Sequence, residues 1–147
     1  MRITPDDASM EQIQEFIESD VSSLRIWRTG GNTGDYIPIM LESKDGTRIP
    51  PAALESLKAR DEVVMALHMY GDSLNGITNE IMLGWHCGPD LAYLEYFAKK
   101  YDCTIFHSDE LHVSKTSKYS VMQLVHLLDE TERFLYVAPN GFYFSNH

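Results

Sequence analysis

Between Asp61 and Ala98 the chain has no lysine and no arginine, yet the stretch holds six carboxylates: Asp61, Glu62, Asp72, Glu80, Asp90 and Glu95. A segment with one sign of charge cannot neutralise itself locally. Any face built from it alone repels phosphate and attracts cations. Basic residues are scarce throughout, with 12 Lys and Arg against 22 Asp and Glu and a formal charge of −10. That balance argues against DNA or RNA as a direct ligand, because phosphate binding needs a basic patch.

Cysteine is also scarce. Cys87 and Cys103 are the two present, and they are not in C-x-x-C spacing. Two cysteines cannot make a disulfide framework in a chain this long, so free, buried thiols in a reducing compartment are expected. No apolar run approaches the roughly 18 residues needed to span a bilayer. The opening Met-Arg-Ile-Thr-Pro-Asp-Asp lacks the apolar centre of a secretion signal. The expectation is a cytoplasmic protein with no membrane partner. No internal repeat, low-complexity tract or linker is legible.

What is present suits a globular fold. The chain has 147 residues and is 44 % hydrophobic, which predicts one domain over residues 1–147. A domain of this length buries roughly 68–70 % of its unfolded surface, enough for one sizeable core. Ser9 followed by Gln12, with Met10, Ile13 and Ile17 at helical spacing, predicts a helix from Ser9 to about Asp20. Leu24–Thr29 and Tyr36–Glu42 read as strands. Pro38 places the second of these at an edge or a bulge. Pro50-Pro51 seeds a short helix. Glu62–Tyr70 and Glu80–His86 read as apolar strands. Gly88-Pro89-Asp90 starts a helix whose core stripe is Leu91, Leu94, Ala98 and Tyr101. Cys103–His107 returns as a strand. Ser120 with Gln123 repeats the capping pattern, with Val121, Leu124, Val125 and Leu128 as the stripe. A hairpin closes the chain, turning at Pro139-Asn140-Gly141. Tight turns between strands imply antiparallel pairing. The fold class is therefore α+β: a mostly antiparallel sheet packed against about four helices, with a C-terminal β-hairpin.

No motif fixes a chemistry. The loop Thr29-Gly30-Gly31-Asn32-Thr33-Gly34 has neither the Gly-Lys-Ser/Thr ending of a P-loop nor dinucleotide spacing, and it joins two strands. It reads as a hairpin loop. His86, Cys87, His107, Asp109, Glu110 and His112 carry metal-capable atoms. Adjacent strand residues point to opposite faces, however, so His86 and Cys87 do not share an ion. The reading is a surface histidine cluster with solvated acidic turns at Asp109-Glu110 and Asp129-Glu130-Glu132, and with neither metal nor cofactor. Cys87 precedes a helix start, where a thiolate is stabilised, and His86, His107 or His68 could serve as its base. Its apolar neighbours Leu83 and Trp85 favour an inert thiol instead. Trp27, between Arg25 and Arg28, is expected in the core.

The leading expectation is a small acidic, non-catalytic binding module. It would be an inhibitor of the immunity-protein or phage-encoded kind, docking a basic toxin, nuclease or nucleic-acid-binding protein. Its candidate contacts, as a group, are Asp72, Glu80, Asp90, Glu95, Asp109 and Glu110. Two alternatives stand beside it. One is a small hydrolase or transferase using Cys87 with His86 or His107. The other is a homo-oligomeric structural protein paired through the terminal hairpin.

Overall fold

The computed structural model describes residues 1–4, 7–30, 36–67 and 75–143. The elements run β1 (Arg2–Ile3), α1 (Asp7–Asp20), β2 (Leu24–Thr29), β3 (Ile37–Ser43), α2 (Pro51–Lys58), β4 (Val63–Met65), β5 (Asn75–Trp85), α3 (Leu91–Tyr101), β6 (Cys103–His107), β7 (Glu110–Val113), α4 (Val121–Asp129) and β8 (Phe134–Tyr143). The α+β class with antiparallel strands and four helices is therefore present. No helix among the described residues is long and apolar enough to cross a membrane.

The chain divides into two compact units, Met1–Gly71 and Asp72–His147. Each runs β-α-β-β-α-β. Their sheets are ordered β2-β3-β1-β4 and β6-β7-β5-β8, with every pair antiparallel. Both have the split β-α-β arrangement known from ferredoxin-like folds. The topology is thus repeated, although no repeat was legible in the sequence. Ile26-Trp27 in β2 matches Ile105-Phe106 in β6. Each isoleucine faces a leucine, Leu41 or Leu111, and each aromatic is the extra residue where the register slips.

Such slips recur on all four edge strands among the described residues, with Trp27, Val64, Phe106 and Leu135 the unpaired extra residues. A bulge bends and twists an edge, which discourages pairing with another chain. It also changes which side chain faces the core. Trp27 was expected inside. Strand alternation from Leu24 and Ile26 puts it on the outer face instead, and half of its surface is exposed. In β8 the bulge does change the facing: Leu135 is the exposed extra residue, and Phe134 turns inward to meet Trp85 at 4.6 Å between ring centroids.

Two cores take the place of one. In the first unit Ile13, Ile17 and Val21 from α1 and Leu57 from α2 pack on Ile3, Leu24, Ile39 and Val63. In the second, Leu94 and Phe97 from α3 and Leu124, Val125 and Leu128 from α4 pack on Ile81, Leu83, Leu111, Val113 and Phe134. One face of each sheet is therefore closed by two helices. The alternate strand residues look the other way.

Local details follow from capping chemistry. Ser120 Oγ accepts from Gln123 N–H at 3.2 Å, and Gln123 Oε1 accepts from Ser120 N–H at 2.8 Å, which completes the expected box on α4. Asp90 caps α3 by accepting from Tyr93 N–H at 3.1 Å. Ser9, expected as a cap, lies inside α1, and its buried hydroxyl meets Thr4 Oγ1 at 2.7 Å. Pro38, expected at an edge or bulge, lies in an interior strand. The Ile39 N–H reaches Met1 O at 2.7 Å, so residue 38 turns its backbone toward β2. Its missing N–H falls where β2 has ended, and only its carbonyl is used, by Gly30 N–H at 2.8 Å. Pro139-Asn140-Gly141 does not reverse the chain. Phe134–Tyr143 is one strand, whose antiparallel partner is β5.

Candidate functional site

The sheet face away from α3 and α4 carries a polar cluster. Glu80 on β5 lies opposite His112 on β7, and Glu110 sits two residues before His112 on the same face. One donor atom from each of Glu80, Glu110 and His112 lies within 4.8 Å of the other two. Glu80 and His112 are each only 6 % exposed. His112 Nε2 is 2.6 Å from Glu110 Oε1. The Phe106 ring, two residues beyond Thr104 (which pairs with His112), stacks flat on the imidazole with centroids 4.7 Å apart.

A second distortion holds Glu80. Ile77 faces Gly141 and Ile81 faces Pro139, so four steps along β5 match two along β8. Thr78-Asn79-Glu80, all buried, thus stand opposite Asn140 alone, two residues in excess. Thr78 Oγ1 lies 3.1 Å from both Glu80 Oε2 and the Asn140 carbonyl oxygen, and it accepts from Glu80 N–H at 3.1 Å. Asn140 Nδ2 donates to Glu80 Oε2 at 2.7 Å. Buried polar groups need partners of this kind.

The second feature is an open groove of about 650 Å³ where β5 leads into α3. Trp85, His86, Cys87, Pro89, Leu91 and Glu132 are among its lining residues, together with Asp90 and Arg133. Arg133 Nη1 contacts Asp90 Oδ2 at 3.2 Å, and its guanidinium lies 4.1 Å over the Tyr93 ring. Burial raises the Tyr93 pKa, and Arg133 partly opposes this. Leu91 is 53 % exposed. Cys87 is exposed, contrary to the expected burial. Cys103 is half-buried, and burial with the nearby Asp102 charge raises its thiol to about 11.

The carboxylates singled out in the sequence are divided. Glu80 and Glu110 come together, but Glu80 is buried and Glu110 is engaged by His112. Asp90 is spent on a helix cap and an ion pair. Glu95 is exposed on α3, and Asp109 is exposed in the turn before β7. Asp72 lies outside the described residues, as do His68, Tyr70 and residues 31–34 of the glycine loop. Arginines from outside the lysine- and arginine-free stretch neutralise two of its members: Arg60 reaches Glu62 at 2.7 Å, and Arg133 reaches Asp90. The stretch therefore does not act as one uncompensated patch. His86 lines the groove beside Cys87. His107 does not line it; the ring packs edge-on against Phe106 at the end of β6.

Two corrections concern residues expected in turns or on the surface. Glu110 and His112 belong to a strand, β7, and His112 is buried. Sequence reasoning missed Glu80 as their companion, because 30 or more residues separate it from them and strand pairing alone joins them. It left out of the candidate contacts the acidic face of α1, with Glu11, Glu15, Glu18 and Asp20 all exposed and no basic residue in the last turn. The helical spacing of those residues was the available signal. No family model, curated protein or solved structure matches the chain.

Proposed function

We propose that the chain is a cytosolic, non-catalytic binding module that docks a basic protein surface, in the manner of an inhibitor, through the groove at the start of α3. One observation carries this reading: exposed Leu91 shares an open groove with the exposed carboxylate of Glu132, while Asp90 there is already held by Arg133. Apolar anchors inside a charged rim are the usual anatomy of an interface. Asp129 and Glu130, exposed at the end of α4, lie three and two residues before Glu132 and add negative charge to that segment. Opposite potentials would speed encounter, and the apolar anchors would slow release.

The test is affinity capture from the source cell at low salt, with Leu91→Arg and Glu132→Lys run beside the natural chain. The natural chain should retain a basic polypeptide that a salt gradient releases, and both variants should lose it. Equal capture by the variants, or none by the natural chain, overturns the reading.

A second reading is favoured by the exposure of Cys87 in the same groove, beside His86. In that reading the thiol attacks a small electrophilic substrate, with His86 as base. It requires Cys87 to be alkylated faster than free cysteine at neutral pH. An ordinary or slower rate removes it.

A further inference from the structure

The polar cluster on the sheet face of the second unit has no role in groove docking. Its donor set is mixed, with one imidazole and two carboxylates. Glu80 comes from β5, and Glu110 and His112 from β7. Calcium and magnesium prefer six to eight, or six, oxygen donors. An imidazole among the donors shifts the preference to first-row transition ions, and three protein donors leave a fourth position for water in a zinc tetrahedron.

The three donor atoms lie within 4.8 Å of one another. A tetrahedral zinc ion with bonds of about 2.1 Å holds its donors about 3.4 Å apart. Closing that difference calls for rotation about the side-chain bonds of Glu110, the least buried of the three. The surroundings already supply what such a site needs beyond its ligands. Asn140 and Thr78 fix the Glu80 carboxylate, and Phe106 fixes the imidazole plane. Outer partners that orient ligands are a regular part of metal sites. The site is also well sheltered, since Glu80 and His112 are both more than nine-tenths buried.

We infer that Glu80, Glu110 and His112 form a three-ligand site for a divalent transition ion of the zinc class. On binding, the ion replaces the hydrogen between His112 Nε2 and Glu110 Oε1. The fourth position is left to solvent.

Chelator-stripped protein titrated with Zn²⁺ in a calorimeter tests this, with Ca²⁺ and Mg²⁺ as controls. The natural chain should bind one Zn²⁺, and its melting temperature should rise with the ion. Glu110→Gln, at the least buried of the three positions, and His112→Asn should each weaken binding at least about tenfold, since losing even an outer partner of a ligand costs about 10–100-fold. Cys87→Ser should bind as the natural chain does. Three results overturn the inference: no Zn²⁺ binding, binding unchanged in both cluster variants, or binding abolished by Cys87→Ser. Ca²⁺ binding as tight as Zn²⁺ also overturns it, because the imidazole would then play no part. Circular dichroism of each variant separates loss of the site from loss of the fold.

Discussion

Gly84→Ala tests the packing of the second sheet more sharply than any core truncation. Gly84 lies opposite Tyr136 in the β5–β8 ladder. A Cβ placed on Gly84 would fall 2.3 Å from Tyr136 Cε1, 2.5 Å from Cδ1 and 2.9 Å from Cζ. The ring lies over the glycine and must swing away. Tyr136 is 55 % exposed, so the ring has somewhere to go, and a little under half of its surface is at stake. With about 200 Å² for a tyrosine and about 25 cal/mol per Å², that covered surface is worth at most about 2 kcal/mol. Losing most of it outweighs the roughly 0.4–1 kcal/mol that replacing a glycine gains by restricting the unfolded chain. The net expectation is a loss of about 1 kcal/mol. In a Tyr136→Ala background the new methyl meets no ring, and Gly84→Ala should become neutral or stabilise by about 0.5 kcal/mol. The double-mutant cycle should therefore give a coupling of about 1.5 kcal/mol. Urea unfolding followed by the fluorescence of Trp85, which packs on Phe134 in the same unit, reads it directly. Equal costs in both backgrounds would refute the argument, since the ring would then not be what glycine accommodates.

Three further outcomes are expected. Ser120→Ala removes the reciprocal cap of α4 and should destabilise by about 1 kcal/mol in urea unfolding, whereas Ser120→Asp should retain most of the stability. The two thiols should differ in alkylation: at pH 8 the raised pKa of Cys103 leaves its thiolate roughly 100-fold scarcer than that of an ordinary thiol. Exposed Cys87 should therefore label first, and Cys103 should catch up as the pH rises toward 11; equal rates at pH 8 would contradict the burial of Cys103. Asp45 is held down to about 2 by the hydroxyls of Thr47 and Ser43 and the Thr47 N–H. A lowered carboxyl pKa contributes stability above the unfolded value near 3.8, and that contribution is lost as pH falls through 2. Carboxyl NMR should place the Asp45 midpoint well below 3.8, and Thr47→Ala should raise it.

Much of the element list was legible because it rests on neighbours in sequence. The strand Cys103–His107, the capping box at Ser120 and Gln123, and the start of α3 at Asp90 are set by bonds within a few residues. What could not be read was register. At Phe106 and Leu135 one extra residue breaks the inside–outside alternation, and nothing local to those residues announces it. Glycine at 84 gave no hint of the ring above it for the same reason. The ring belongs to Tyr136, more than fifty residues away.

Composition and local spacing by themselves determined the α+β class, the four helices and the negative charge. Those depend on propensity, capping and the count of ionisable groups, which need no partner strand. Tertiary structure alone decided that the topology is used twice, that Arg60 and Arg133 neutralise part of the anionic stretch, and that Glu80 meets Glu110 and His112. Each of those is a pairing across long chain separation, fixed by which strands lie side by side and by where their registers slip.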